Sequence, residues 1–257
     1  MSRPTSTEPR ELAVALERNP GLPTGTGERF SGYGIMGLPF ASGHVLALWR
    51  FPSSSIGPGY TSVWHRDPAG RWTFYADVAP RLACARFFGP GIERAVVDAV
   101  RVTWTGARSF VVTVPSAGLA WAVHLGATPV SRLLNAAARA LPQRTWRNPR
   151  ALAALGLVMS RAFDLGRLSL SGSAPNGQRF RATPRVVWPV EANSALLGGE
   201  SLGPVDPQLS QSRLGDFWIP RRGVFVVSQA FFEGAGDERA GAIAQRDAGR
   251  SEAVTTR

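Results

Sequence analysis

The sequence predicts a mainly β protein: two antiparallel β lobes, or a sandwich or barrel, joined by a short helical insert. Three observations predict it. Apolar and polar residues alternate through much of residues 45–126, the period of half-buried strands. Turn-forming groups separate those runs, as in Asp67-Pro68-Ala69-Gly70 and the "APNG" of residues 174–177. Helical spacing, by contrast, is confined to the N-terminus and to residues 128–165.

In chain order, "STEPRELAVALERNPG" predicts a short amphipathic helix, with Thr7 as N-cap, Pro9 in the first turn, Leu12, Ala15 and Leu16 on one face, and Asn19-Pro20-Gly21 as the stop. Residues 22–34, rich in Gly, Thr and Pro, read as a linker, so residues 1–28 form an N-terminal helix and linker. A first β lobe spans residues 29–127. Within it "GYTSVWHRDPAGRWTFYAD" makes a hairpin around a type I turn. Pairing Arg66 with Arg71 sets His65 opposite Trp72 and Val63 opposite Phe74, which separates the faces better than a one-residue shift. A second hairpin runs through Val102 and Trp104, turns at "TGAR", and returns through Phe110 and Val112. In "LAWAVHL" Leu119, Trp121, Val123 and Leu125 share one face; Ala120, Ala122 and His124 on the other leave room for a helix or a ligand.

Residues 128–165 form an arginine-rich helical insert. Val130, Leu133, Leu134, Ala137 and Leu141 keep helical spacing, and Asn148 caps a second helix that is apolar nearly all round and therefore expected to be buried. A second β lobe covers residues 166–233, where Pro184 and Pro189 mark an edge strand or bulges. Residues 234–257 offer little to bury and read as a disordered tail.

Composition narrows the chemistry. All 29 Lys plus Arg residues are arginine, so no side-chain amine is present for a Schiff base or a P-loop. Net charge is +11, and no Asp or Glu occurs from Ala99 to Phe163, where eight arginines fall. Arg132, Arg139, Arg144 and Arg147 thus suit an anionic membrane surface; nucleic acid is the weaker reading. Cys84 stands alone, "MSRPTSTEPR" lacks an apolar signal core, and no apolar run approaches the roughly 20 residues of a span. These features lead us to expect a cytoplasmic protein, peripheral to a membrane at most.

No cofactor or metal motif emerges. "GYGIMG" fits G-x-G-x-x-G, but Leu38-Pro39 follows where a helix N-terminus is needed. His44, His65 and His124 are far apart in sequence, and there is no nucleophile elbow. Asp77, Glu191 and Asp216 are candidate catalytic acids, since a carboxyl among aromatics has a raised pKa; turn or cap acceptor is the alternative role of each. His65 is a fourth catalytic candidate, with a place in the hairpin packing as its alternative. Eight Trp and 13 Phe suit an aromatic-lined cavity, for which Trp72, Phe74, Trp104, Trp121, His124 and Trp188 are the candidate ligand contacts.

The hairpin "GYTSVWHRDPAGRWTFYAD" and the following "FFGPGIERAVVDAVRVTWTGARSFVVTV" resemble segments of the lipocalin-like family that includes the carotenoid 1,2-hydratases and AttH-type proteins. The likeness covers residues 59–114. It implies two lipocalin-like β lobes around an apolar cavity that binds or transforms a hydrophobic terpenoid or polyketide-like molecule. The arginine-rich insert departs from that pattern, and hydratase activity is not carried over. The expectation is a protein that binds a hydrophobic small molecule such as a lipid or isoprenoid. The alternative is a hydratase, isomerase or cyclase working through a buried carboxylic acid.

Overall fold

The computed structural model describes residues 8–142, 144–207 and 210–234. Helix α1 (Pro9–Arg18) precedes strands β1 (Glu28–Pro39), β2 (Val45–Ser54), β3 (Tyr60–Arg66) and β4 (Trp72–Ala76). A one-turn helix α2 (Ala85–Phe88) leads to β5 (Arg94–Val97), β6 (Arg101–Trp104), β7 (Ser109–Val114) and β8 (Leu119–Leu125). After the insert helices α3 (Pro129–Ala140) and α4 (Pro149–Phe163) come β9 (Ser171–Ser173), β10 (Arg179–Leu197), β11 (Glu200–Ser201), β12 (Arg213–Leu214), β13 (Phe217–Trp218) and β14 (Val224–Glu233).

The architecture is mainly β, as the alternation predicts. Strands from both sides of the insert share one sheet, in the order β5-β4-β3-β2-β1-β14-β10-β8-β7-β6, so the two lobes are halves of a single structure. All pairs along this path are antiparallel except β4 with β5. The sheet curls into a half-barrel. In a flat sheet β1 and β6, five strand spacings of about 4.8 Å apart, would be separated by about 24 Å. Yet the rings of Tyr33 on β1 and Trp104 on β6 lie 6.4 Å apart. One apolar cluster fills the inside of the curl, uniting Leu48 and Val63 from one half with Val112 and Trp121 from the other. A second covers the outer face of β1–β4, β10 and β14, beneath α2, α4 and the β12–β13 hairpin.

Several local expectations change in the structure. The segment read as a linker is strand from Glu28 onward. Its glycines meet a packing demand: a Cβ at Gly32 would lie 2.0 Å from the Arg50 carbonyl oxygen. Thr7 and the tail beyond residue 234 lie outside the described residues, and Glu8 is the N-cap of α1. Glu8 accepts two hydrogen bonds from Arg108, at 2.7 and 2.6 Å, and Tyr33 donates to Glu17 at 2.5 Å, which fixes α1 over the curl.

The first hairpin adopts the register shifted by one residue, pairing Arg66 with Trp72, His65 with Thr73 and Trp64 with Phe74. The turn decides this. Gly70 sits at φ +92°, and the Asp67 N–H donates to the Arg71 carbonyl at 3.0 Å, so the loop has three residues where the Arg66–Arg71 pairing assumes four. Trp64 consequently stacks on Phe74, with ring centroids 4.4 Å apart. The second hairpin keeps the expected register, Trp104 opposite Phe110 and Val102 opposite Val112. In β8, Ala120 and His124 on the small-residue face are exposed and Ala122 is partly so.

The insert forms two helices as expected, capped by Thr128 and by Asn148, whose side chain accepts from the Arg150 and Ala151 N–H groups. Pro184 marks a register shift in β10, consistent with a residue that cannot donate to the ladder. Nearby, Asn135 of α3 replaces a strand: its amide donates to the Val187 carbonyl at 2.9 Å and accepts from the Val187 N–H at 2.7 Å. Helix α4 buries only Leu152, Gly156 and Met159 and leaves Leu157 and Val158 exposed, because one side alone faces the protein.

Candidate functional site

The outer-face cluster contains an apolar chamber of about 40 Å³. Period-two alternation aims its walls: Phe30 from β1, Trp49 and Phe51 from β2, and Tyr60 and Trp64 from β3 face the same way. Phe87 and Phe88 of α2 and Phe217 of β13 close it from above. Phe180 and Phe232 form a cross-strand pair at one end. Ten aromatic side chains thus enclose the space, and Phe87 stacks on Phe232 with centroids 3.7 Å apart.

The chamber exists because its floor is made of small residues. Ala182 of β10 pairs with Ala230 of β14, and Ser228 lies on the same face. Both alanines are only half-buried although they sit within paired strands, so the space above them is not filled. The volume accommodates a water-sized group or a small part of a larger molecule; an apolar cavity that takes up benzene is about 150 Å³.

Polar atoms in the lining are few and uncharged apart from Arg181. Tyr60 Oη and Cys84 Sγ lie 3.3 Å apart. Burial pushes the Cys84 thiol up to about 12 and the Tyr60 hydroxyl well above its ordinary range, so both stay neutral at physiological pH. The Trp49 indole N–H is buried without a hydrogen-bond partner among the described residues. Arg181 turns its guanidinium away to the Trp146 carbonyl, at 3.0 Å, and over the Phe231 ring.

None of the acids singled out from the sequence lines the chamber, and all three are exposed. Asp77 accepts from the Thr61 N–H at 2.7 Å and Asp216 from the Ser173 N–H at 2.8 Å, both backbone-acceptor roles. A buried carboxylic acid is therefore not found at these positions. His65 meets His44 with ring nitrogens 2.8 Å apart; burial lowers the pKa of His65 to about 4, with His44 adding to the shift. His124 and Glu191 converge on the open face of the sheet: His124 Nδ1 lies 2.8 Å from Ser109 Oγ, and Nε2 lies 3.9 Å from Glu191 Oε2. His124 and Glu191 are solvent-exposed and their contact exceeds hydrogen-bond length, so the trio lacks the geometry of an activated serine. Among the described residues, no group of three or more His, Cys, Asp or Glu side chains could hold a metal ion.

The six candidate ligand contacts separate. Trp72 and Phe74 belong to the outer-face cluster, Trp104, Trp121 and Trp188 pack inside the curl, and His124 is exposed. None of the six lines the chamber. The residues that do were available in sequence as alternating large and small side chains in "RFRATP" and "SQAFFE", a weaker signal than a run of tryptophans.

No family model and no curated protein sequence matches the chain. Among solved structures, an acetoacetate decarboxylase from Legionella pneumophila subsp. pneumophila str. Philadelphia 1 is similar at 11% identity, over 91% of this chain and 97% of that one, with a TM-score of 0.38. A second acetoacetate decarboxylase structure is similar at 10% identity, over 84% and 89%, with a TM-score of 0.40. Neither comparison bears on the carotenoid hydratase resemblance. Likeness at this level establishes neither a substrate nor a reaction.

Proposed function

We propose that this chain binds a small, largely apolar molecule carrying one oxygen acceptor, in the aromatic chamber on the outer face of the half-barrel. The observation that carries the reading is the chamber itself, ten rings over a floor of Ala182, Ala230 and Ser228. The rings supply apolar contact, and the Trp49 N–H supplies a donor that gains a partner when an oxygen enters. A ligand of more than a few heavy atoms displaces part of the wall. Helix α2, four residues long, and the two-residue strand β13 are the wall elements with little structure to lose. Binding is favoured over catalysis because the Tyr60–Cys84 pair stays neutral and no carboxylate lines the chamber.

Native mass spectrometry before and after solvent extraction, followed by tryptophan fluorescence titration with medium-chain and monoterpene alcohols, tests this. A released compound or saturable quenching supports it. Absence of both, across the whole alcohol series, overturns it.

A further inference from the structure

The insert exposes large apolar side chains on both of its helices. Helix α3 turns Ser131 and Asn135 inward, at 1% and 8% exposure, and leaves Leu133 and Val130 at 71% and 46%. Helix α4 turns Leu152 and Met159 inward but also leaves Leu157 and Val158 exposed, at 55% and 49%. Seven large hydrophobic side chains are exposed among the described residues, and these four lie on the insert. Their neighbours Arg132, Arg139, Arg144, Arg147, Arg150 and Arg161 are exposed as well, on a segment whose first acid is Asp164. Helix α3 packs on β10 and α4 on β9, which itself pairs with β10, so both helices are anchored along one strand.

From this arrangement we infer that the helical insert docks the protein on an anionic lipid bilayer. Aliphatic side chains flanked by arginines match an interface where acyl chains lie beneath negative headgroups. Nucleic acid fits less well, since bases stack on exposed aromatics and the insert's tryptophan, Trp146, is buried. A second copy fits less well too, because two such faces, each dense in arginine, repel one another. The docked helices enter by about their own outer face and do not cross; no helix among the described residues is long and apolar enough to span. The inference stands independently of the chamber, although Trp146, Leu152 and Met159 on the inner side of the insert belong to the same apolar cluster as the chamber rings.

The test is sedimentation of the full chain with vesicles of phosphatidylglycerol and phosphatidylcholine in equal parts, beside vesicles of phosphatidylcholine alone. The expected result is binding to the first, weakened by salt, and little to the second. Arg144→Gln with Arg150→Gln reduces it by about fivefold per arginine, and Leu133→Glu with Leu157→Glu abolishes it. All four positions are exposed, and thermal melting checks that both variants stay folded. No binding to the anionic vesicles overturns the inference, as does binding that neither variant weakens. Tighter binding to a single-stranded oligonucleotide that survives Leu133→Glu with Leu157→Glu overturns it, and so does a dimer that those changes dissociate when vesicles do not bind.

Discussion

Replacing Ala230 with Val asks whether the chamber is a site or a packing flaw. Ala230 lies on the floor, opposite Ala182, so two added methyl groups project into the open space. At about 24 cal/mol per Å³, a cavity of this size destabilises the fold by about 1 kcal/mol. Filling it recovers up to that amount, to which the β-branched side chain adds a few tenths in a strand. Were the space already full, the same change would overpack the core and cost about 1–3 kcal/mol. Urea unfolding reads the sign, and alcohol titration of the same protein reads the function. The expected outcome is a variant more stable by up to about 1 kcal/mol whose ligand affinity falls at least about tenfold, roughly 1.4 kcal/mol of binding. A variant destabilised by more than about 1 kcal/mol refutes the open floor, and a more stable variant with unchanged ligand affinity refutes the chamber as the binding site.

Two further predictions concern the scaffold. The folded pKa of His65 lies below its ordinary value of 6.5, at about 4, so its contribution to stability is complete above pH 6.5 and is lost as pH falls toward 4. The upper limit is about 3 kcal/mol, reduced by the part of the ring that reaches solvent. Stability measured across this range falls in the parent and falls much less in His65→Gln; equal slopes would show that protonation of the buried His65 does not drive acid sensitivity. Asn135→Ala removes both hydrogen bonds to Val187 and leaves that buried backbone unit unsatisfied, a loss of about 2–3 kcal/mol in urea unfolding. A loss below about 1 kcal/mol means that water reaches Val187 and that Asn135 does not stand in for a strand.

The fold was readable where one face of an element met polar surroundings. The β6–β7 hairpin kept its register because Phe110, Val112 and Val114 alternate with less buried neighbours, so a slip would expose the core face. The β3–β4 hairpin gave no such contrast, since Val63 enters one core and Trp64 the other. With both faces apolar, the register rested on Gly70, whose positive φ removes one residue from the loop. Helix α4 misled in the opposite direction. Its nearly unbroken apolar sequence indicates burial, but only Leu152, Gly156 and Met159 are buried, with Leu155 and Phe163 partly so.

The mainly β class, the two insert helices within 128–165 with the Asn148 cap, the second hairpin and the absence of lysine chemistry were legible in the sequence, because each depends on residues close together in the chain. Tertiary structure alone decided that β14, last in sequence, lies between β1 and β10, bringing Ala230 and Phe232 beside Ala182, Phe30 and Phe87. Alternation states which side of a strand is apolar, but not which strands become neighbours. A chamber drawn from seven separate segments follows from the order of strands in the sheet, which no local pattern of residues specifies.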